Sequence, residues 1–245
     1  MSEIRKAVVV GVGPESGLGG ALCRRFGREG LHVYVAGRTR EKIDAIAAAI
    51  VAGGGQATPV LTDTTREEEV IRLFEIAERG EEGVVDLVVY NAGNAHMGDF
   101  RQVEASTFES VWRVGCFGGF LVGREAARRM LPRERGTVLF TGASASLRGR
   151  TGFAAFAAAK AGLRMIAQSM AREYGPQGIH VAHVVIDGGI AGDKIIKGIP
   201  RFAQAVGPDG LIGLEGLAEA YWQLYLQAKT AWTHELDLRT YKESF

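Results

Sequence analysis

Six short apolar runs recur along the chain and are separated by segments with helical periodicity. Each run is nearly continuous in Val, Ile and Leu, which is typical of parallel strands covered by helices on both faces. The spacing leaves room for crossover helices. The pattern therefore predicts a doubly wound α/β fold with a mostly parallel sheet. The predicted strands are 7–11, 32–36, 58–61, 84–90, 137–141 and 180–186, and near the end come a helix over 217–227 and a strand-like stretch over 234–240.

The chain is predicted to be one domain spanning 1–245, since 245 residues of which 47% are hydrophobic can bury one large core and no linker interrupts them. The pattern loosens over about 188–214, which is rich in glycine and broken by Pro200 and Pro208. This excursion is either a mobile lid or substrate loop, or an ordered surface segment with no catalytic part.

Charge and cysteine content narrow the classes of function. Lys and Arg total 29 against 28 Asp and Glu, a net charge of +1, which argues against binding to nucleic acid or to an anionic membrane. Cys23 and Cys116 form no metal-ligand spacing, and reduced thiols are favoured over a disulfide. No segment approaches the roughly 18 apolar residues of a membrane span. We expect a soluble, cytoplasmic protein without a metal site.

A glycine-rich turn follows the first predicted strand and opens a helix. Gly13, Gly17 and Gly19 stand in the spacing G-x-x-x-G-x-G, which allows a tight turn and lets backbone amides approach a pyrophosphate. A purely structural turn is the alternative. The strand before and the helix after it favour a dinucleotide site in a Rossmann-type domain.

The second predicted strand ends in VAGRTR, without the carboxylate that would bind a free ribose 2′-hydroxyl. Gly37 leaves room there, and Arg38 supplies a guanidinium suited to a 2′-phosphate. A solvated loop charge is the alternative for Arg38. The sequence therefore favours NADP(H) over NAD(H) as the cofactor.

A long amphipathic helix is predicted over 153–174, with Phe156 and Lys160 one turn apart on one face. A second long helix is predicted near 106–131. Both helices carry more apolar and small residues than one sheet face can cover, which suggests a homodimer or homotetramer. Lys160 either serves a site or extends its apolar stem along the helix.

The glycine loop, LTDTT after the third strand, YNAG after the fourth and the helix bearing Lys160 together resemble the short-chain dehydrogenase/reductase family. By this resemblance Asp63 would bond the adenine, Asn91 and Gly93 would shape the cofactor cleft, and Lys160 would hold the nicotinamide ribose hydroxyls. The cofactor residues that the motifs and the resemblance imply are Gly13, Ser16, Gly17, Leu18, Gly19, Arg38, Asp63, Thr64, Asn91, Ala92, Gly93, Lys160, Gly188 and Ile190.

The family's catalytic pattern looks altered. Phe156 stands where the family has its acid–base tyrosine, Ala143 where it has its serine and Gly115 where it has its asparagine. A proton would therefore come from another group, and the candidates are Lys160 acting through water, Ser144, His96 and Asp187. The alternatives for the last three are that Ser144 caps local backbone, His96 is an exposed loop residue and Asp187 serves a turn.

Two functions are compatible with these residues. The first is an atypical oxidoreductase that transfers a hydride between NADP(H) and a small carbonyl- or alcohol-type substrate. The second is a dinucleotide-binding protein without dehydrogenase activity, acting as a sensor, a partner subunit or a non-redox enzyme. The first is favoured because the cofactor residues are retained and hydride transfer depends more on positioning than on an acid.

Overall fold

Parallel strands form a single sheet in the computed structural model, which describes residues 4–79 and 83–243. All six predicted runs form strands, and part of the strand-like stretch over 234–240 adds a further one. The outermost ends of the predicted 1–245 domain lie outside the described residues. The strands are Arg5–Val10 (β1), His32–Gly37 (β2), Gln56–Leu61 (β3), Val84–Tyr90 (β4), Gly136–Thr141 (β5), Ile179–Ile186 (β6) and Glu235–Leu238 (β7).

The strand order is β3-β2-β1-β4-β5-β6-β7, and every neighbouring pair is parallel. The order reverses direction between β1 and β4, which is where doubly wound sheets open a ligand crevice beyond the carboxyl ends of their strands. The predicted doubly wound α/β fold is confirmed. The cofactor residues are therefore to be sought in the loops that follow β1, β2, β4, β5 and β6.

Helices cover both faces of the sheet. Alternate β1 residues enter different cores: Ala7 and Val9 pack with one set of helices, and Val8 and Val10 pack with the other. β1 is therefore buried on both sides, as its continuous apolar run requires, whereas the edge strands β3 and β7 are only partly buried. The helices are Leu18–Arg28 (α1), Arg40–Ala52 (α2), Glu67–Glu78 (α3), Ala105–Trp112 (α4), Gly118–Met130 (α5), Ala154–Tyr174 (α6), Asp193–Ile196 (α7), Pro200–Val206 (α8) and Leu214–Leu226 (α9).

The predicted helix near 106–131 is interrupted by a π-helical turn, Arg113–Phe117, which joins α4 to α5. Gly115 in this turn packs directly on α6: a Cβ added there would lie 2.7 Å from the Cβ of Ala159. Only glycine allows the two helices to come this close. π-Helical turns are frequent at functional sites, and this one faces the helix that carries Lys160.

The excursion over 188–214 has regular structure and is hydrogen-bonded to the rest of the chain. It contains α7 and α8, and a parallel bridge pairs Ile190 with Ile212. The backbone N–H of Asp193 donates to the Ser16 carbonyl oxygen at 2.8 Å. The first part of the excursion is thereby attached to the glycine loop between β1 and α1.

Cys23 and Cys116 are both free thiols and both buried. Burial raises the pKa of each thiol, so both stay protonated near neutral pH. Within residues 4–79 and 83–243, no cluster of His, Cys, Asp and Glu side chains is suited to a metal ion. A helix with the length and apolarity of a membrane span is likewise missing from the described part.

Candidate cofactor and active site

A cleft opens at the carboxyl ends of the strands β1 to β6. Its walls contain residues from each of the loops that follow these strands, and the first turn of α1 forms part of its floor. All fourteen predicted cofactor residues are among its lining residues, and the glycine loop, the Asn-Ala-Gly turn and Lys160 are thus brought together. These segments are distant in sequence, but they meet here because the carboxyl ends of parallel strands lie at one edge of the sheet.

Gly188 and Ile190, the two predicted residues that lie in the 188–214 excursion, line the cleft together with the other twelve. The excursion therefore forms one wall of the cleft. The excursion residues in this wall all lie within its first part, 188–195.

The glycine loop has the geometry of a phosphate cradle. Gly17 precedes α1 in an extended conformation, and no side chain caps the helix, so the first backbone N–H groups of α1 are left for a ligand. A Cβ added at Gly13 would meet no protein atom within 4 Å, and Gly13 lines the cleft, so a side chain there would project into the space for a pyrophosphate. Glu15 is exposed and lies outside the cleft lining. These features fit a dinucleotide.

Arg38 and Asp63, the two residues predicted to contact the adenosine, both line the cleft. Arg38 is exposed directly after β2. The Asp63 carboxylate accepts hydrogen bonds from the backbone N–H and the hydroxyl of Thr65, each at 2.9 Å. These two bonds form a local turn that fixes the loop after β3.

Asn91 joins the ends of the two central strands. Its side-chain amide donates to the Gly11 carbonyl oxygen at 3.2 Å, and its backbone N–H donates to the Val10 carbonyl oxygen at 2.9 Å. Both bonds run from the end of β4 to the end of β1. The Asn91 side chain thus shapes the cleft at the point where the strand order reverses.

Lys160 is buried at the inner end of the cleft, with 4% of its surface exposed. Its ammonium donates to the Thr141 carbonyl oxygen at 2.7 Å, at the end of β5. Burial, with a smaller contribution from the positive charge of Lys194, lowers the pKa of Lys160 to about 8. An ammonium group held in this way can donate hydrogen bonds to ligand hydroxyls. Because its pKa is about 8, it can also release and take up a proton near neutral pH.

The Phe156 ring lies near the Lys160 ammonium. The centroid of the Phe156 ring is 5.9 Å from the ammonium nitrogen, and Phe156 lines the cleft together with Ala143 and Val114. Ser144 also lines the cleft and begins a short 3-10 turn. Of the four predicted proton-transfer candidates, Ser144 and Lys160 are therefore the two that line the cleft.

His96 and Asp187 lie apart from this arrangement. Neither is among the residues that line the cleft, although His96 is half-buried in the loop after β4. Asp187 is 1% exposed and forms ion pairs with Arg148 at 3.0 Å and Arg239 at 3.4 Å. The structure thus separates these two proton-transfer candidates from Lys160 and Ser144.

Sequence reasoning missed two cations in the cleft, Lys42 and Lys194. Lys42 lies in the first turn of α2, four residues after Arg38, and this short separation could have identified it as a second cation near Arg38. Lys194 lies on α7, and no local pattern pointed to it. Burial, followed by the charges of Lys42 and Arg38, lowers the pKa of Lys194. Arg38, Lys42, Lys160 and Lys194 thus share the cleft lining with one carboxylate, Asp63.

Comparisons with known proteins agree with this geometry. The sequence pattern of the family described as short chain dehydrogenase matches residues 6–193. A Bacillus subtilis protein named uncharacterized oxidoreductase YuxG is 35% identical over 197 residues, which are 79% of this chain and 28% of that protein. The chain thus spans about a quarter of the length of that relative.

Two solved structures share the fold. A short-chain dehydrogenase from Rhodopseudomonas palustris is 37% identical, with a TM-score of 0.82 over 97% of this chain and 99% of that one. A Beutenbergia cavernae protein, provisionally described as an NAD(P)-dependent gluconate 5-dehydrogenase, has NADP bound at low occupancy. It is 25% identical, with a TM-score of 0.82 over 95% of this chain and 94% of that one.

Proposed function

The chain belongs to the short-chain dehydrogenase family of oxidoreductases, and we propose that it transfers a hydride between NADP(H) and a small carbonyl- or alcohol-type substrate. The observation that carries this proposal is the cleft itself, in which a glycine loop, an uncapped helix N-terminus and four cationic side chains face one cavity. A dinucleotide with an additional phosphate matches both the shape and the charge of such a cleft.

The preference for NADP(H) is supported by Arg38 and by the excess of positive charge around it. Arg38, Lys42 and Lys194 border the cleft and Asp63 is the carboxylate among the lining residues. The net charge of the whole chain is only +1, so positive charge is concentrated at this site. The NADP bound to the Beutenbergia cavernae protein shows that a relative with this fold accepts that cofactor.

The cofactor supplies the hydride when it is bound. Lys160 would hold the nicotinamide ribose hydroxyls, since its ammonium is oriented by the Thr141 carbonyl and directed toward the cleft. Gly188 and Ile190 would present backbone groups to the nicotinamide amide from the far wall. Such positioning contributes much of the rate in hydride transfer, because the reacting carbons must be held in contact.

We propose that the proton is handled differently from the family's usual tyrosine mechanism. Phe156 has no exchangeable proton, whereas Ser144 lines the cleft and Lys160 has a pKa of about 8. Lys160 acting through water, aided by a hydrogen bond from Ser144, is the arrangement that the geometry supports. Asp187 is held by two arginines and His96 lies outside the cleft lining, so we propose structural roles for both.

A dinucleotide-binding protein without redox activity is the second candidate. Phe156, Ala143 and Gly115 favour it, because none of these side chains can polarise a carbonyl or transfer a proton. This candidate requires the same cofactor cleft, so cofactor binding alone does not distinguish the two functions.

Stopped-flow measurements separate them. NADPH is mixed with the protein and a panel of ketones, imines, enones and oxidised sugar acids, and NADPH oxidation is followed by absorbance. Turnover of any member supports the oxidoreductase. Tight NADPH binding with no turnover across the panel supports the second function, and absence of NADPH binding contradicts both.

We also propose that the chain forms a homodimer or homotetramer. The outer face of α4, the π-helical turn and α5 carries a row of stacked aromatic rings, Trp112, Phe117 and Phe120, of which Trp112 and Phe120 are exposed. Burying such a row stabilises an assembly. Sedimentation at micromolar concentration tests this, and a monomer would contradict it.

A further inference from the structure

We propose that Lys194 determines cofactor specificity by binding the 2′-phosphate of NADP(H) together with Arg38 and Lys42. This inference rests on the proposed function and extends it to the 188–214 excursion. The three cations come from three parts of the chain: the end of β2, the first turn of α2, and α7. They meet at one cleft although Lys194 is more than 150 residues from Arg38 in sequence.

Backbone contacts hold α7, which carries Lys194, against the glycine loop. The Asp193 N–H donates to the Ser16 carbonyl oxygen at 2.8 Å, and a Cβ added at Gly192 would lie 2.7 Å from the same oxygen. The glycine loop in turn lies against the end of β2, since the Val12 N–H donates to the Ala36 carbonyl oxygen at 3.0 Å. Lys194 is therefore attached, through the glycine loop, to the strand end that bears Arg38.

The three cations lack anionic partners among the residues that the structure describes, since none of them takes part in a salt bridge there. The neighbouring carboxylates are engaged elsewhere: Asp193 pairs with Lys197 at 2.9 Å, and Asp63 accepts two hydrogen bonds from Thr65. Like charges that face one cleft repel each other and lower the stability of the free protein. A phosphate dianion between them removes this repulsion.

The pKa of Lys194 supports the proximity of the three groups, because the charges of Lys42 and Arg38 both contribute to lowering it. A 2′-phosphate in the same place would have the opposite effect on Lys194. The phosphate would also connect the excursion to the core of the protein. NADP(H) would therefore order the wall of the substrate pocket in a way that NAD(H) does not.

Lys194→Met tests this, with Lys197→Met as the matched control. Lys197 is one turn further along the same segment, is exposed, pairs with Asp193 and does not line the cleft. NADPH, NADH and adenosine 2′,5′-bisphosphate are titrated into wild type and both variants by fluorescence or calorimetry. We expect Lys194→Met to weaken NADPH and the bisphosphate about 10- to 100-fold, with NADH changed less than about twofold. Lys197→Met is expected to match wild type.

The outcomes distinguish this inference from the function on which it rests. If Lys194→Met loses NADPH and NADH affinity equally, Lys194 binds the pyrophosphate shared by both cofactors, and the inference is overturned. Unchanged affinity of this variant for all three ligands overturns it as well. In both cases wild type still binds NADPH and the proposed function stands. Failure of wild type to bind NADPH defeats the proposed function and the inference together. Restored NADPH affinity in Lys194→Arg supports a charge contact with the phosphate.

Discussion

The Lys160 ammonium lies 5.9 Å from the centroid of the Phe156 ring, one turn away on α6, and donates to the Thr141 carbonyl oxygen. Both side chains line the same cleft. The cation thus has a fixed hydrogen-bond acceptor on one side and an aromatic ring on the other. A hydroxyl added to that ring would lie near a positive charge in a largely buried place.

Phe156→Tyr is expected to raise carbonyl reductase activity by about tenfold or more. The Lys160 ammonium favours the phenolate and lowers the pKa of the new tyrosine, and a positioned acid contributes on the order of 10²- to 10⁴-fold. Ala143 still leaves the carbonyl unpolarised, so adding Ala143→Ser should help more than additively. NADPH oxidation by wild type, both single variants and the double variant measures this.

Phe153→Tyr is the control, because Phe153 precedes α6 and does not line the cleft. Lower activity in Phe156→Tyr would show that the native protein reduces its own substrate with another group and that the hydroxyl crowds an apolar pocket. Equal rates in all variants, with cofactor binding intact, would contradict a redox role.

Arg38→Ala is expected to weaken NADPH binding about 10- to 100-fold while leaving NADH binding nearly unchanged. A charge-assisted contact with a 2′-phosphate is worth about 1.5 to 3 kcal/mol, and NADH lacks that phosphate. Arg40→Ala serves as the control, because Arg40 is exposed, lies 3.5 Å from Asp44 and is outside the cleft lining. Equal affinity of wild type for the two cofactors would refute the assignment of Arg38.

Lys160→Met is expected to change how stability depends on pH. The pKa of Lys160 is about 8 in the folded protein against 10.5 ordinarily, so between these values the unfolded chain binds more protons and stability rises with pH. The free energy of unfolding of wild type relative to Lys160→Met should therefore increase from pH 8 to pH 10.5, by up to about 3 kcal/mol. Urea unfolding of both proteins at pH 7, 8.5 and 10 measures the difference. A constant difference would mean that Lys160 titrates normally.

Gly115→Ala is expected to destabilise the protein by about 1 to 3 kcal/mol, because the new methyl group would lie 2.7 Å from the Ala159 Cβ. Thermal unfolding measures this, and Ala159→Gly in the same chain should recover part of the loss. Gly216→Ala is the control: Gly216 lies in α9 with nothing within 4 Å of an added Cβ, so that change should be neutral or slightly stabilising. Equal effects of the two substitutions would contradict a close contact between Gly115 and α6.

Local sequence patterns were enough to predict the strands and the glycine loop between β1 and α1. Continuous apolar runs mark strands buried on both faces, and glycine spacing between a strand and a helix marks a phosphate turn, because both signals depend on neighbouring residues. Lys160 and Phe156 were placed on one helical face by their spacing of four. The ends of the strands were predicted less accurately. β3 begins at Gln56 instead of the predicted 58, because Gln56 and Ala57 pair with β2 and extend the strand.

Contacts between residues distant in sequence could not be predicted from local patterns. Asp187 directly follows a strand, as several cleft residues do, yet Arg148 and Arg239, distant in sequence, hold its carboxylate outside the cleft lining. Lys194 reaches the cleft of Arg38 because α7 is hydrogen-bonded to the glycine loop. The contact of Gly115 with Ala159 depends on how closely two helices pack. Local periodicity encodes which face a residue occupies, whereas these pairings depend on how separate elements pack against each other.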